Sequence, residues 1–132
     1  TYNANPASMT AALDMLGQVK NARRVAILGD MLELGTTSEM LHASLSKHPS
    51  LKILDKIHTV GMHMRALHAN LPTFQRGMHF SQAQDLLPYL QELIQKNDCI
   101  LVKASNGIGL SLIIKTLVAL EKTLEKPACE DT

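Results

Sequence analysis

The sequence has few aromatic residues and almost no excess of charge. Aromatic side chains make up 3% of the 132 residues and tryptophan is absent, so platforms on which single-stranded nucleic acid stacks are not expected. Lysine and arginine number 13 against 12 acidic residues, and the net charge of +1 provides no field to attract nucleic acid or an anionic membrane. Long apolar runs are also missing, and none approaches the length of a membrane-spanning helix. We therefore expect neither nucleic acid nor a membrane as a partner.

Cysteine is scarce too, and no metal-ligand spacing is visible. The two cysteines, Cys99 and Cys129, do not form a disulfide framework, and free thiols in a reducing compartment are the simpler interpretation. This predicts a cytoplasmic protein. The six histidines are scattered along the chain, which predicts that most lie on the surface and that there is no metal site.

The most informative segment that is present is TYNANP, residues 1–6. Asn5 is a typical helix N-cap and Pro6 a typical first helical residue, because the missing N–H of proline costs nothing there. The polar turn at the start of this helix suits ligand contact, since free N–H groups and the positive end of the helix dipole lie there. A supporting strand normally precedes such a turn, so we expect the chain to be a fragment that lacks its first strand.

Strands and helices alternate along the rest of the chain. Helices are predicted over residues 7–20, 36–47, 62–71, 81–96 and from 110 onward, and strands over residues 23–30, 56–61, 78–80 and 99–103. Capping boxes are predicted at Thr36 with Glu39 and at Ser81 with Gln84, and Pro88 should kink or restart the helix that contains it. Alternation of this kind predicts an α/β fold: a Rossmann-like three-layer domain with a mainly parallel sheet and helices on both faces. We expect one domain over residues 1–126 and a disordered tail over residues 127–132.

Three polar loops, TYNANP, GDMLELG and KASNGIG, precede helices at the predicted carboxyl edge of the sheet, where ligands bind in such folds. Asp30 and Glu33 could serve acid–base chemistry there, although capping and solvation explain them more simply. Lys103 could reach a phosphate or a carboxylate, or could only close its strand. Gly107 and Gly109 form an incomplete dinucleotide motif, and no lysine of a phosphate-binding loop follows them.

A phospho-receiver domain is a less favoured alternative. Its fold also places an aspartate after one strand and a lysine after a later strand. Here Asp30 has no adjacent acidic partner, and Ala104 follows Lys103 where proline is common in receivers.

Taken together, the three loops resemble a known family. The segments TYNANPASMTAAL, VAILGDMLELG followed by TSEMLH, and ILVKASNGIGL occur in this order and spacing in the carboxy-terminal domain of Mur ligases. The resemblance runs from Thr1 to about Lys122 and is greatest to the members that add D-alanyl-D-alanine to UDP-N-acetylmuramoyl-tripeptide during peptidoglycan precursor synthesis. Such ligases have three domains, of which this chain resembles the third, a Rossmann-like lid.

The resemblance implies roles for particular residues. Asn3 and Asn5 are the matching candidates for contact with the adenine or ribose of the nucleotide. Asp30, Lys103 and Ser105 match the loops that close over the dipeptide and the acyl phosphate. No residue of this chain is expected to be catalytic or to bind a metal.

The resemblance also implies what other parts of the ligase do. ATP and Mg²⁺ would be bound mainly by the central domain, so this chain alone should be inactive. The chain departs from the family pattern at two positions of the last loop: Ala104 stands where glycine is usual, and Asn106 stands where arginine is frequent. The second difference removes a guanidinium group from that loop. The alternative function is a free-standing Rossmann-like binding or interaction domain without ligase activity.

Overall fold

The computed structural model describes residues 4–105 and 108–129, which form alternating strands and helices. The strands are β1 (Arg24–Gly29), β2 (Lys56–Val60), β3 (Arg76–Phe80) and β4 (Cys99–Lys103). The helices are α1 (Pro6–Gly17), α2 (Ser38–Ser44), α3 (Pro49–Lys52), α4 (Arg65–Asn70), α5 (Ala83–Leu86), α6 (Leu90–Leu93) and α7 (Leu110–Cys129). Short 3₁₀ turns cover Gly35–Thr37, Leu45–Lys47 and Leu87–Tyr89.

The described strands form one parallel sheet in the order β3-β2-β1-β4. In the centre of the sheet Val25 pairs with Lys56 of β2 on one side and with Ile100 of β4 on the other. All four carboxyl ends therefore lie at one edge, together with the loops that follow them. The predicted fold class, α/β with helices on both faces of a mainly parallel sheet, is confirmed.

Two apolar layers cover the sheet, because strand side chains alternate between its faces. On one face Ala26 and Leu28 of β1 pack in a cluster with residues of α1, α3 and α4, such as Leu13. On the other face Ile27 packs in a cluster with residues of α5, α6 and α7, such as Leu86. β1 is thus the buried centre of the domain.

Sequence signals predicted some helix ends correctly and others wrongly. Asn5 is the N-cap of α1, and Pro88 lies in the 3₁₀ turn that separates α5 from α6, as predicted. The predicted capping box of Thr36 is wrong, because the preceding 3₁₀ turn leads directly into α2: the Ser38 N–H donates to the carbonyl of Gly35. The box predicted at Ser81 is wrong as well, since α5 begins after Gln82, whose side chain makes no capping hydrogen bond.

The last described helix, α7, reaches into the stretch that the sequence predicts to be a disordered tail. α7 continues to Cys129, so Pro127–Cys129 of the predicted tail are helical, and residues 130–132 lie outside the described part of the chain. Within the described residues no helix is long and apolar enough to span a membrane.

Candidate functional site

Asp30 follows β1 directly and is 4% exposed. Its carboxylate accepts hydrogen bonds from the backbone N–H of His63 at 3.1 Å and of Met64 at 2.8 Å. These amides belong to the turn between β2 and α4. A Cβ at Gly61, where φ is +110°, would lie 2.5 Å from the Asp30 carboxyl group, so glycine is required there for the close approach. The carboxylate thus fixes the neighbouring turn from inside the protein.

Ser105 connects three loops at the same edge. Its hydroxyl accepts a hydrogen bond from the Leu32 N–H at 2.9 Å and donates one to the carbonyl of Ala4 at 3.2 Å. Its own N–H donates to the carbonyl of Asp30 at 3.0 Å. The residue is 2% exposed. One buried serine therefore joins the segments that the sequence predicted to meet: the turn before α1, the loop after β1 and the loop after β4.

Asn5 uses its side chain for helix capping. Its Oδ1 accepts a hydrogen bond from the Ser8 N–H at 2.9 Å, and the Ser8 hydroxyl lies 3.0 Å from the Asn5 N–H, which completes a capping box. The cap fixes the direction in which the chain enters α1. Asn3 lies outside the described residues, and the predicted nucleotide contact of both asparagines stays a prediction.

Lys103 is the last residue of β4, where it pairs with Leu28 of β1. It is half-buried. Partial burial lowers the pKa of its ammonium group from the usual value, because the charged form loses hydration.

A cleft of about 440 Å³ opens at the carboxyl edge of the sheet. Its walls come from the ends of β1 and β2, the turn before α5 and the start of α7, with Asp30, Gly61, Gln82 and Leu112 among its lining residues. Asp30 is the predicted site residue that lines this cleft, whereas Ser105, Asn5 and Lys103 are not among its lining residues. A groove of about 460 Å³ between β4 and α7, lined by side chains such as Ile100 and Val118, lies away from this edge.

Sequence reasoning missed the buried histidines. His42 is 0% exposed and His58 is 3% exposed, whereas the other four histidines are half-buried, so the expectation that most histidines lie on the surface does not hold for these two. His42 lies behind the loop after β1, and its Nε2 accepts a hydrogen bond from the Met31 N–H. The four-residue spacing from Ser38 to His42 is visible in the sequence, but its burial depends on α4, which is distant along the chain.

A bound metal ion would need several ligand side chains close together. Among the described residues, no group of three or more His, Cys, Asp or Glu side chains is placed to hold a metal ion. Among the described residues that line the cleft, Asp30 provides the one carboxylate, and it already accepts two backbone hydrogen bonds. The described residues do not provide an ordinary Mg²⁺ site.

The parallel sheet and its joined carboxyl-edge loops define a Rossmann-like domain, a class of fold in which ligands bind at this edge. Residues 1–106 match the family described as "Mur ligase, glutamate ligase domain", and the chain belongs to this family.

Similar proteins are found both by sequence and by structure. The chain is 36% identical over 122 residues to the UDP-N-acetylmuramoyl-tripeptide–D-alanyl-D-alanine ligase of Bacillus subtilis, covering 89% of this chain and 26% of the relative. It is 35% identical over 117 residues to the ligase of the same name from Rickettsia prowazekii, covering 86% and 25%. MurF from Acinetobacter baumannii superposes with a TM-score of 0.73 at 31% identity, covering 92% of this chain and 26% of that structure. The chain thus spans about a quarter of the length of these relatives.

Proposed function

We propose that the chain is the C-terminal, substrate- and nucleotide-closing domain of an ATP-dependent amide ligase. The ligase adds D-alanyl-D-alanine to UDP-N-acetylmuramoyl-tripeptide in peptidoglycan precursor synthesis. The observation that carries the proposal is the hydrogen bonding of Ser105, which links the three family-typical loops at one edge of the sheet. Relatives that share this name support the choice of substrates.

The chemistry explains why such an enzyme needs this kind of domain. An amide ligase activates a carboxylate as an acyl phosphate, which water would hydrolyse. A domain that closes over the bound substrates excludes water and completes the site. The joined loops give the closing edge one fixed shape, so less ordering entropy is lost when the substrates bind.

The residues of this chain then have distinct roles. Lys103 at the end of β4 supplies a cation for a carboxylate or phosphate oxygen when the domain closes. Asp30 and Ser105 act through the backbone, because their side chains already hold the neighbouring turns. We assign the nucleotide contact to Asn3 and Asn5 at the start of α1.

ATP and Mg²⁺ belong to parts of the ligase outside this chain, because the described residues offer no metal-binding cluster and the sequence has no phosphate-binding loop. The ATP supplies the phosphoryl group for activation. We place the reaction in the cytoplasm, where ATP is available. The chain alone neither hydrolyses ATP nor forms an amide bond.

The direct test is phosphate release from ATP by the full-length protein that contains this chain. We expect release that requires both UDP-N-acetylmuramoyl-tripeptide and D-alanyl-D-alanine, and background release when either is omitted. The matched control is the 132-residue chain alone, for which we expect background release with both substrates present. Absence of substrate-dependent turnover in the full-length protein would instead favour a free-standing binding domain.

A further inference from the structure

His42 is completely buried, and both of its ring nitrogens have backbone partners. Nδ1 lies 2.6 Å from the carbonyl oxygen of Ser38, one helical turn earlier in α2. Nε2 lies 3.0 Å from the backbone nitrogen of Met31, in the loop that follows β1. The ring therefore connects α2 to the loop whose first residue, Asp30, lines the cleft.

These partners define one protonation state. The Ser38 carbonyl can only accept a hydrogen bond, so Nδ1 carries the proton. The Met31 N–H can only donate, so Nε2 must offer its lone pair. His42 is consequently a neutral imidazole with its proton on Nδ1. An imidazolium would direct two N–H groups at each other and lose the bond to Met31.

The surroundings favour the neutral form. Burial is the main cause that lowers the pKa of His42, and the neighbouring His63 lowers it further, while the Ser38 carbonyl and the Asp30 carboxylate oppose the shift. The His63 ring stacks on His42, with the centroids 5.4 Å apart. The Ser38 hydroxyl lies 3.1 Å from Nδ1 of His63, so the two rings are held as one unit.

The loop after β1 is held at each residue in turn. The Asp30 carboxylate accepts from two amides, and its carbonyl accepts from the Ser105 N–H. The Leu32 N–H donates to the Ser105 hydroxyl. Between them, the Met31 N–H donates to His42. His42 thus supplies the hydrogen bond that fixes the middle of this loop.

We propose that His42 is a positioning residue for the ligase reaction: through Met31 it fixes the loop after β1 in the shape that receives D-alanyl-D-alanine. The inference rests on the proposed function for the identity of the substrate. The positioning of the loop itself rests on the hydrogen bonds alone.

The first experiment measures the tautomer and the loop in the full-length protein. Ring ¹⁵N shifts of labelled histidine distinguish a proton on Nδ1 from one on Nε2, and the signal of His42 is assigned by its loss in His42→Gln. We expect the Nδ1–H tautomer at neutral pH and slow hydrogen exchange at the Met31 amide. A proton on Nε2, or fast exchange at Met31, would overturn the inference.

The second experiment uses a matched pair of variants. In His42→Gln the amide oxygen reaches the position of Nε2 and can still accept from Met31, whereas the shorter side chain of His42→Asn reaches only the position of Nδ1. We expect His42→Asn to raise the KM for D-alanyl-D-alanine about tenfold, and His42→Gln to keep it within about twofold of the wild-type value. Loss of folded enzyme alone would lower kcat and leave KM unchanged.

The outcomes separate this inference from the proposed function. An unchanged KM in His42→Asn, or an equal rise in both variants, would contradict the positioning role. Absence of ligase activity in the wild-type protein would instead contradict the proposed function. The ring ¹⁵N shifts and the exchange rate of Met31 would still decide whether His42 holds the loop.

Discussion

Replacement of Ser105 by alanine should destabilise the domain more than replacement of the exposed Ser44 by alanine. The hydroxyl has two partners, the Leu32 N–H and the Ala4 carbonyl, and Ser105 is 2% exposed. Ser105→Ala removes both hydrogen bonds but leaves the two backbone groups in place. A buried backbone group without a partner costs about 1–3 kcal/mol.

The magnitude follows from where the two groups lie. Ala4 is 1% exposed, so its carbonyl stays unpaired when the hydroxyl is removed. Leu32 is half-buried, so water can replace part of the lost hydrogen bond to its N–H. We therefore expect the free energy of unfolding to fall by about 2 kcal/mol, which is the lower end of the cost expected for two unpaired backbone groups.

Urea denaturation of the chain, followed by circular dichroism, measures this loss. The matched control is Ser44→Ala, because Ser44 is exposed and its hydroxyl bonds only to the carbonyl of Leu41 within its own helix. We expect the control to change the free energy of unfolding by less than about 0.5 kcal/mol. A loss in Ser105→Ala no larger than in the control would refute the argument that this hydroxyl joins the three loops.

Three further predictions concern the core, pH and the ligase reaction. Leu28→Ala should lower the free energy of unfolding by about 2–5 kcal/mol, measured by urea denaturation, because it leaves a cavity at a fully buried position of β1. Burial lowers the pKa of His58 from 6.5 to about 4, so the neutral imidazole is favoured in the folded state. The free energy of unfolding therefore has its full value above about pH 6.5 and decreases as the pH falls towards 4. The decrease due to His58 is up to about 3 kcal/mol. Unfolding curves of wild type and His58→Asn should converge over this interval, and parallel curves would contradict the assignment. In the full-length ligase, Lys103→Ala should lower turnover by the equivalent of about 2–4 kcal/mol of transition-state stabilisation, with little change in melting temperature. A lower melting temperature with normal turnover per folded molecule would instead show that Lys103 has a structural role.

The sequence predicted those features that depend on local pattern. The bounds of β4 agree residue for residue with the predicted strand, because CILVK is a short apolar run between polar turns. Asn5 and Pro6 are the N-cap and first residue of α1, since capping needs only neighbouring residues. Local pattern and the alternation of elements were therefore sufficient for the fold class.

Features that depend on distant partners could not be predicted in the same way. The sequence places Asp30 at a strand exit, but the amides that occupy its carboxylate are more than thirty residues away. His42 lies in a short helix with no marked apolar face, and its burial results from packing against the turn before α4. The candidate site thus differs from the expectation mainly in that several of its polar side chains hold loops together.

The central claim is that this chain works as the closing domain of a D-alanyl-D-alanine-adding ligase. A domain replacement tests it most directly: the matching quarter of the Bacillus subtilis relative is exchanged for this chain, and phosphate release is compared with that of the same relative truncated before the exchanged segment. The account predicts turnover in the chimera that depends on UDP-N-acetylmuramoyl-tripeptide and D-alanyl-D-alanine, and background release in the truncated protein. A folded chimera that turns over no faster than the truncated protein would contradict the claim.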